Sequence, residues 1–236
     1  MKILWSALFC LVATVSLAQS SAGVPEKGSP AGRAEVSFQF ERVGLSVPKF
    51  SIIVYDDGTG SYKGETAAVS SGRYGASVQP TAGPPINRTI KLSPATTDSI
   101  FKTARGLDFF NIPCASKAKN IADTGKKTLT YSGSDGHGSC LFNYSENKGV
   151  AQLAEMFQAI AFTMDEGRKL DFMHRFDRLG LYSEIDALKR EVEAKRALEL
   201  GNISQSLLSI AQDEALMEKV RERAVALLNM SGETEK

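Results

Sequence analysis

Residues 49–62 read KFSIIVYDDGTGSY. Lys49–Tyr55 is dense in β-branched and aromatic side chains, and Asp56-Asp57-Gly58 follows it at once. A tight hairpin needs positive φ, which glycine supplies without steric cost, so Asp-Gly after such a run marks a turn. Thr59–Tyr62 then carries the chain back as the second arm. Upstream, Glu35–Glu41 (EVSFQFE) places Val36, Phe38 and Phe40 on one face with a period of two, the spacing of a half-buried strand. Short strands are expected to continue at Ala67–Ser70, Ser77–Gln79 and Asn87–Leu92, with Gly83-Pro84-Pro85 breaking the run.

One helix interrupts these strands. Ser93 can cap it, and Pro94 at its first position has no amide to leave unpaired. Ile100, Phe101, Ala104 and Leu107 follow at helical spacing, and Asp108–Pro113 (DFFNIP) ends the helix with apolar anchors. Lys127–Ser132 and Ser139–Tyr144 read as two more strands joined by Gly133–Gly138.

The chain changes character near residue 146. From Gly149, Val150, Leu153, Ala154, Phe157, Ile160, Ala161 and Met164 form one apolar stripe, suited to covering a sheet face. A helix from Ser183 turns Ile185, Leu188 and Val192 inward, and pairs Asp186 with Arg190 and Glu191 with Lys195 on its outer side. Within Asn202–Asn229, a short helix carries Leu207, Leu208 and Ala211. A longer one, capped by Asp213, carries Leu216, Val220, Ala224, Leu227 and Leu228. Acidic Asp213 and Glu214 precede Arg221 and Arg223, the order the helix dipole favours. The expected fold is therefore α+β: an antiparallel sheet with helices packed on one face, followed by an α-helical C-terminal appendage. The expected units are a signal peptide (1–18), a flexible Gly/Pro-rich leader (19–33), an α+β domain (34–166) and a helical region (167–236).

The signal-peptide reading rests on Met1–Ala18 (MKILWSALFCLVATVSLA). One positive charge precedes an apolar run too short to span a bilayer, and small residues close it. Cys10 lies inside that run with bulky Phe9 before it, not directly after the run as a lipoprotein signal requires, so lipidation is not expected. The expectation is an exported chain, periplasmic or extracellular, cleaved after Ala18. Lys2 is the one charged side chain in 1–18, so the remainder has equal numbers of basic and acidic residues. A neutral chain has no overall electrostatic drive toward nucleic acid or anionic lipid.

Two cysteines remain, Cys114 and Cys140. In an exported chain an even pair reads as a disulfide. Its loop of about 27 residues corresponds to roughly 3.5 kcal/mol in the chain-entropy treatment. An alternative leaves Cys140 free as a nucleophile activated by His137, since Ser134–Cys140 (SDGHGSC) gathers a base, two hydroxyls and a thiol. His137 and His174 are the only histidines, too few for a histidine-rich metal site. His174 is expected to pack or pair with a carboxylate. Asp56, Asp57 and Asp123 are turn residues whose convergence the sequence does not establish. Lys117, Lys119, Lys126 and Lys127 surround Asp123 as a solvated basic loop.

Gly58–Gly64 (GTGSYKG) is not a dinucleotide fingerprint, because its third glycine arrives one residue late and no helix follows. Gly125-Lys126-Lys127-Thr128 lacks the first glycine of a phosphate loop, since Asn120 stands there. No cofactor and no metal is expected. Asn87, Asn143, Asn202 and Asn229 each begin an Asn-X-Ser/Thr triplet, relevant where the host glycosylates exported chains.

Phe50–Gly64, Leu107–Ile112 (LDFFNI) and Lys127–Tyr131 together resemble small exported bacterial domains of unknown function, over about Val36–Met164. Those begin with a strand entering an Asp-Gly hairpin, then a helix ending in a paired-phenylalanine anchor, then further strands. Members often carry Cys and Pro before the second strand. Ser46-Val47-Pro48 has no Cys, so no role for that thiol transfers, and the resemblance implies no activity. Val220–Leu228 (VRERAVALL) is similar to the second helix of a HEAT repeat, though one helical hairpin makes no solenoid. The function expected is a non-enzymatic exported binding or protein-interaction module with its C-terminal helices as the docking surface.

Overall fold

The computed structural model of the protein describes residues 32–67 and 83–233. Six strands form one antiparallel sheet: β1 Glu35–Glu41, β2 Lys49–Tyr55, β3 Thr59–Glu65, β4 Ile86–Lys91, β5 Lys126–Gly133 and β6 Gly136–Phe142, ordered β4-β3-β2-β1-β5-β6. The five α-helices are α1 Pro94–Gly106, α2 Lys148–Phe176, α3 Leu181–Glu193, α4 Ser204–Gln212 and α5 Glu218–Glu233. The fold is α+β with a helical C-terminal region, as expected. The signal peptide and most of the leader lie outside the described residues, as do the expected strand Ser77–Gln79 and all but Ala67 of Ala67–Ser70.

Register follows from the alternation of apolar side chains. Val36 stands opposite Val54 and Tyr131, Phe38 opposite Ile52 and Leu129, and Phe40 opposite Phe50 and Lys127. A slip by one residue would turn this whole set to solvent. α1 and the first half of α2 cover the apolar face, where Phe157 stacks on Phe38 with ring centroids 5.2 Å apart. The opposite face is polar, and no described helix covers it. Glu65, Lys49, Glu41 and Lys126 cross it in register, with charge alternating at each strand.

α1 begins as the sequence indicates. Ser93 is extended at the N-cap, its hydroxyl accepts from the Thr96 amide, and Pro94 follows. The helix ends in a left-handed 3₁₀ turn, Asp108–Phe110, with φ of 51°, 55° and 70°. That conformation is costly for side-chain-bearing residues, and tertiary packing holds it. It buries Phe110 completely and sets the Phe109 ring 5.0 Å from Tyr131. A Cβ on Gly136 would meet that ring at 2.6 Å, and one on Gly138 would meet the Phe109 carbonyl at 2.3 Å. The glycines of β6 thus make room for the anchor. Cys114 and Cys140 are disulfide-bonded just beyond it, tying the end of the α1 segment to β6.

Several boundaries differ from the sequence reading. The β5–β6 hairpin closes over Ser134 and Asp135, with Gly133 opposite Gly136, so His137 belongs to a strand rather than a loop. Asp135 accepts from the Tyr131 hydroxyl (2.6 Å) and the Arg105 guanidinium (2.7 Å), which pins this tight turn to α1. The expected boundary between residues 166 and 167 falls inside α2, which runs unbroken to Phe176. Its fully buried apolar residues serve one core up to Met164 and a second from Leu170, and half-buried Phe162 already packs against the second. Asp213 does not cap α5. It follows α4 and accepts from the Ala215 amide, and α5 starts at Glu218. Glu191 pairs with Arg196, not Lys195, because α3 stops at Glu193 and Lys195 turns left-handed (φ 57°). Leu208, expected inward, is partly exposed.

Candidate functional site

The second core packs Leu170, Leu181, Ile185, Leu188, Ile203, Leu207, Ile210, Val220, Ala224 and Leu227. It is fastened to the sheet at one edge. Glu199, left-handed at φ 60°, accepts 2.8 Å bonds from both the Ser93 amide and the Ser93 hydroxyl. Asn202 brackets the backbone of Lys91: the Lys91 amide donates to Asn202 Oδ1 (2.8 Å), and Asn202 Nδ2 donates to the Lys91 carbonyl (3.0 Å). One side chain thereby mimics a strand neighbour and occupies part of the free edge of β4. Nothing in the local sequence marks Glu199 or Asn202 for this task, because their partners lie over a hundred residues away.

At the far end of α2 the picture reverses. Phe172, Phe176 and Leu179 are 58%, 72% and 85% exposed. They are spaced i, i+4 and i+7, so an apolar stripe continues from the helix into the α2–α3 turn. The two phenyl rings pack on each other with centroids 5.1 Å apart. Arg175 is exposed within this stripe and pairs with no described carboxylate. Arg178 is half-exposed and 3.3 Å from Asp213. Asp213 also bonds His174 Nε2 at 2.9 Å, and that hydrogen bond holds its carboxyl below the usual range. His174 is thus a structural clip between α2 and the α4–α5 turn. Monomeric proteins rarely display contiguous apolar patches beyond a few hundred Å², and such patches mark interaction sites.

The other candidates are dispersed. Cys140 faces the core and is bonded to Cys114, whereas His137, three residues away on β6, faces the open side of the sheet. The structure does not bring the base to the sulfur. Asp56 and Asp57 sit at the β2–β3 turn, near the Glu35 end of β1, and Asp123 precedes β5 at the Glu41 end. Asp57 pairs with Arg33 and accepts from the Thr59 amide; Asp123 accepts from the Gly125 amide. Lys127 is not part of a basic surface. It points inward and donates to the carbonyls of Thr124, Gly125 and Asn143 at 2.8–3.2 Å. Burial lowers its pKa. Lys117, Lys119 and Lys126 remain exposed.

The open sheet face holds a shallow concavity of about 650 Å³ beside Lys49, Lys63, Lys126, Glu41 and Glu65. Three lysines against two glutamates leave only one net positive charge, and the signs alternate from strand to strand, so no strong field gathers there for an ionic ligand. Among the described residues, no group of three or more His, Cys, Asp or Glu is placed to hold a metal ion, and no helix is long and apolar enough to cross a membrane. Of the four glycosylation triplets, Asn143 is engaged with Thr124 and Ala122, and Asn202 with Lys91. Asn87 and Asn229 are exposed.

The chain matches no protein-family model, and no curated protein matches it. The α2–α3 tip therefore stands on its geometry alone.

Proposed function

We propose that this protein is an exported, non-enzymatic interaction module that docks a protein partner through its C-terminal helices. The observation that carries this reading is the tip formed by Phe172, Phe176 and Leu179 with Arg175 among them. Aromatic and arginine side chains dominate the energetics of protein contacts. A convex apolar tip with an unpaired arginine fits a concave apolar pocket rimmed by carboxylates. Three apolar side chains and one arginine make a small contact beside the roughly 20–30 residues a side of a stable complex, which favours a transient one. The apolar run and small-residue close of residues 1–18 support export. The alternative of a thiol enzyme using Cys140 with His137 draws no support from a bonded sulfur on the other face of the strand.

The test replaces Phe176 with a photoreactive benzoylphenylalanine in the full exported chain. The expected result is one defined adduct with a second polypeptide, weakened at least about tenfold by Arg175→Glu. The same label at Val225, exposed on α5, should give no adduct. Crosslinks to a second copy alone, or an equal adduct from Val225, would overturn the reading.

A further inference from the structure

Where the two cores meet, α2 turns Glu166 into the interior. The residue is 7% exposed, and its Oε2 has no hydrogen-bond partner. The nearest cation, Lys169 Nζ, is 3.8 Å from Glu166 Oε1 but 2.6 Å from Glu184 Oε1 across on α3. Two carboxyl groups therefore share one ammonium, and that ammonium is committed to the other member. The remaining charged neighbours do not correct the imbalance. Asp165 adds a further negative charge and is itself held by Arg168 at 2.7 Å. The turn Leu200–Ile203 presents Ile203, close enough that a Cβ on Gly167 would lie 2.3 Å from it. Burial, then the adjoining Glu184, pushes the Glu166 carboxyl up to about 8. Glu184, despite its own burial, is held below the usual range by its neighbours Glu166 and Lys169, the latter donating to it at 2.6 Å.

We propose that Glu166 is a proton-holding clasp between α2 and α3: its protonated carboxyl donates a hydrogen bond to the Glu184 carboxylate, and loss of that proton at alkaline pH loosens the α2–α3 hairpin. The step is a dissociation. The Glu166 O–H bond breaks, the proton leaves to hydroxide or buffer base, and the electron pair stays on the carboxylate. Two anions then face a single Lys169 in a poorly hydrated site, where like charges are most costly. The clasp lies about 9 Å along the helix from Phe172, so it sets the rigidity of the segment that presents the tip. It goes beyond the docking reading and does not depend on it.

The sign of the effect is fixed. An unfolded chain ionises Glu166 in the ordinary carboxylate range, whereas the folded chain keeps the proton to about pH 8. The clasp is fully stabilising below that ordinary range, and its contribution is lost as pH rises through about 8.

The experiment is a carbon-13 titration of the full chain labelled at the glutamate carboxyl carbons. One glutamate is expected to titrate near pH 8, and its signal should be missing in Glu166→Gln. Hydrogen exchange in α3, corrected for intrinsic rates, should rise about tenfold between neutral and alkaline pH in the parent and stay flat in Glu166→Gln. Glu184→Gln removes the like charge and should move the Glu166 titration to lower pH, a result readable even if Glu166→Gln fails to fold. All glutamates titrating in the ordinary range, alkaline opening that persists in Glu166→Gln, or no response to Glu184→Gln would each overturn the clasp. Crosslinking from position 176 at neutral pH reports docking separately, so either idea can fail without the other.

Discussion

Lys127 illustrates how one residue's role depends on which way its strand turns it. In the sequence it sits among Lys117, Lys119 and Lys126 around Asp123, a grouping that reads as one basic loop. The two-residue period of β5 separates Lys126, which faces the open side, from Lys127, which faces the core. Its ammonium then gathers the carbonyls of Thr124, Gly125 and Asn143 and lies 5.7 Å from the Phe40 ring. Lys127→Met keeps much of the stem's packing and leaves those carbonyls without their donor. The expected cost is about 1.5–3 kcal/mol, read as a lower urea midpoint with an unchanged denaturant slope. A midpoint equal to the parent's would show that water replaces the ammonium at no cost. Cys140 makes the same point with the opposite outcome. The compositional argument for a disulfide needed only two cysteines and an oxidising compartment, and the bond to Cys114 is present.

Among the elements, those whose signals are local were legible. The β2–β3 hairpin is written in Asp-Gly, and the start of α1 in Ser-Pro. The strand alternation of β1 was equally plain, because apolar period is a property of adjacent residues. The end of α1 was legible as an anchor but not as a left-handed turn. Three consecutive positive-φ residues with side chains run against backbone preference, and only the space above Gly136 and Gly138 makes the arrangement favourable. Gly138→Ala would set a methyl 2.3 Å from the Phe109 carbonyl oxygen. Since backbone must yield, the expected destabilisation is about 1–3 kcal/mol, with the Phe109 anchor displaced. Thermal unfolding measures the first, and near-ultraviolet circular dichroism of the Phe109–Tyr131 contact the second. An unshifted melting temperature would show that the anchor moves freely.

At the scale of the whole molecule, α2 is the member common to both cores. Its first half seals the sheet and its second half is a wall of the helical unit, with Glu199 and Asn202 stitching that unit to Lys91 and Ser93. The two cores therefore differ in how they depend on the C-terminus. Truncation after Gly201 keeps Glu199 but removes Asn202, Ile203, α4 and α5, which uncovers Leu170, Leu181 and Ile185. The sheet core should remain folded, because its buried residues all precede position 165 and Leu198, which packs against them, is retained. α3 should lose protection, since most of its packing partners are gone. Peptide-resolved hydrogen exchange on the truncated chain checks both halves of this expectation. An α3 as protected as in the full chain would show that α2 alone supports it.

Period and turn chemistry, read from neighbouring residues, were enough to establish an α+β chain, the order of its main elements and a disulfide-capable cysteine pair, because each signal spans only a few residues. They also placed a division between residues 166 and 167, a point that lies within the continuous helix α2. The long-range arrangement had no local signature. That His137 and Cys140 face apart depends on where β6 begins, and that Phe172 and Phe176 stay exposed depends on what α3 fails to cover. That Glu166 lies beside Glu184 depends on how two helices cross. Such placements arise from the packing of side chains far apart in the chain, and a single sequence does not record which of its distant surfaces will meet.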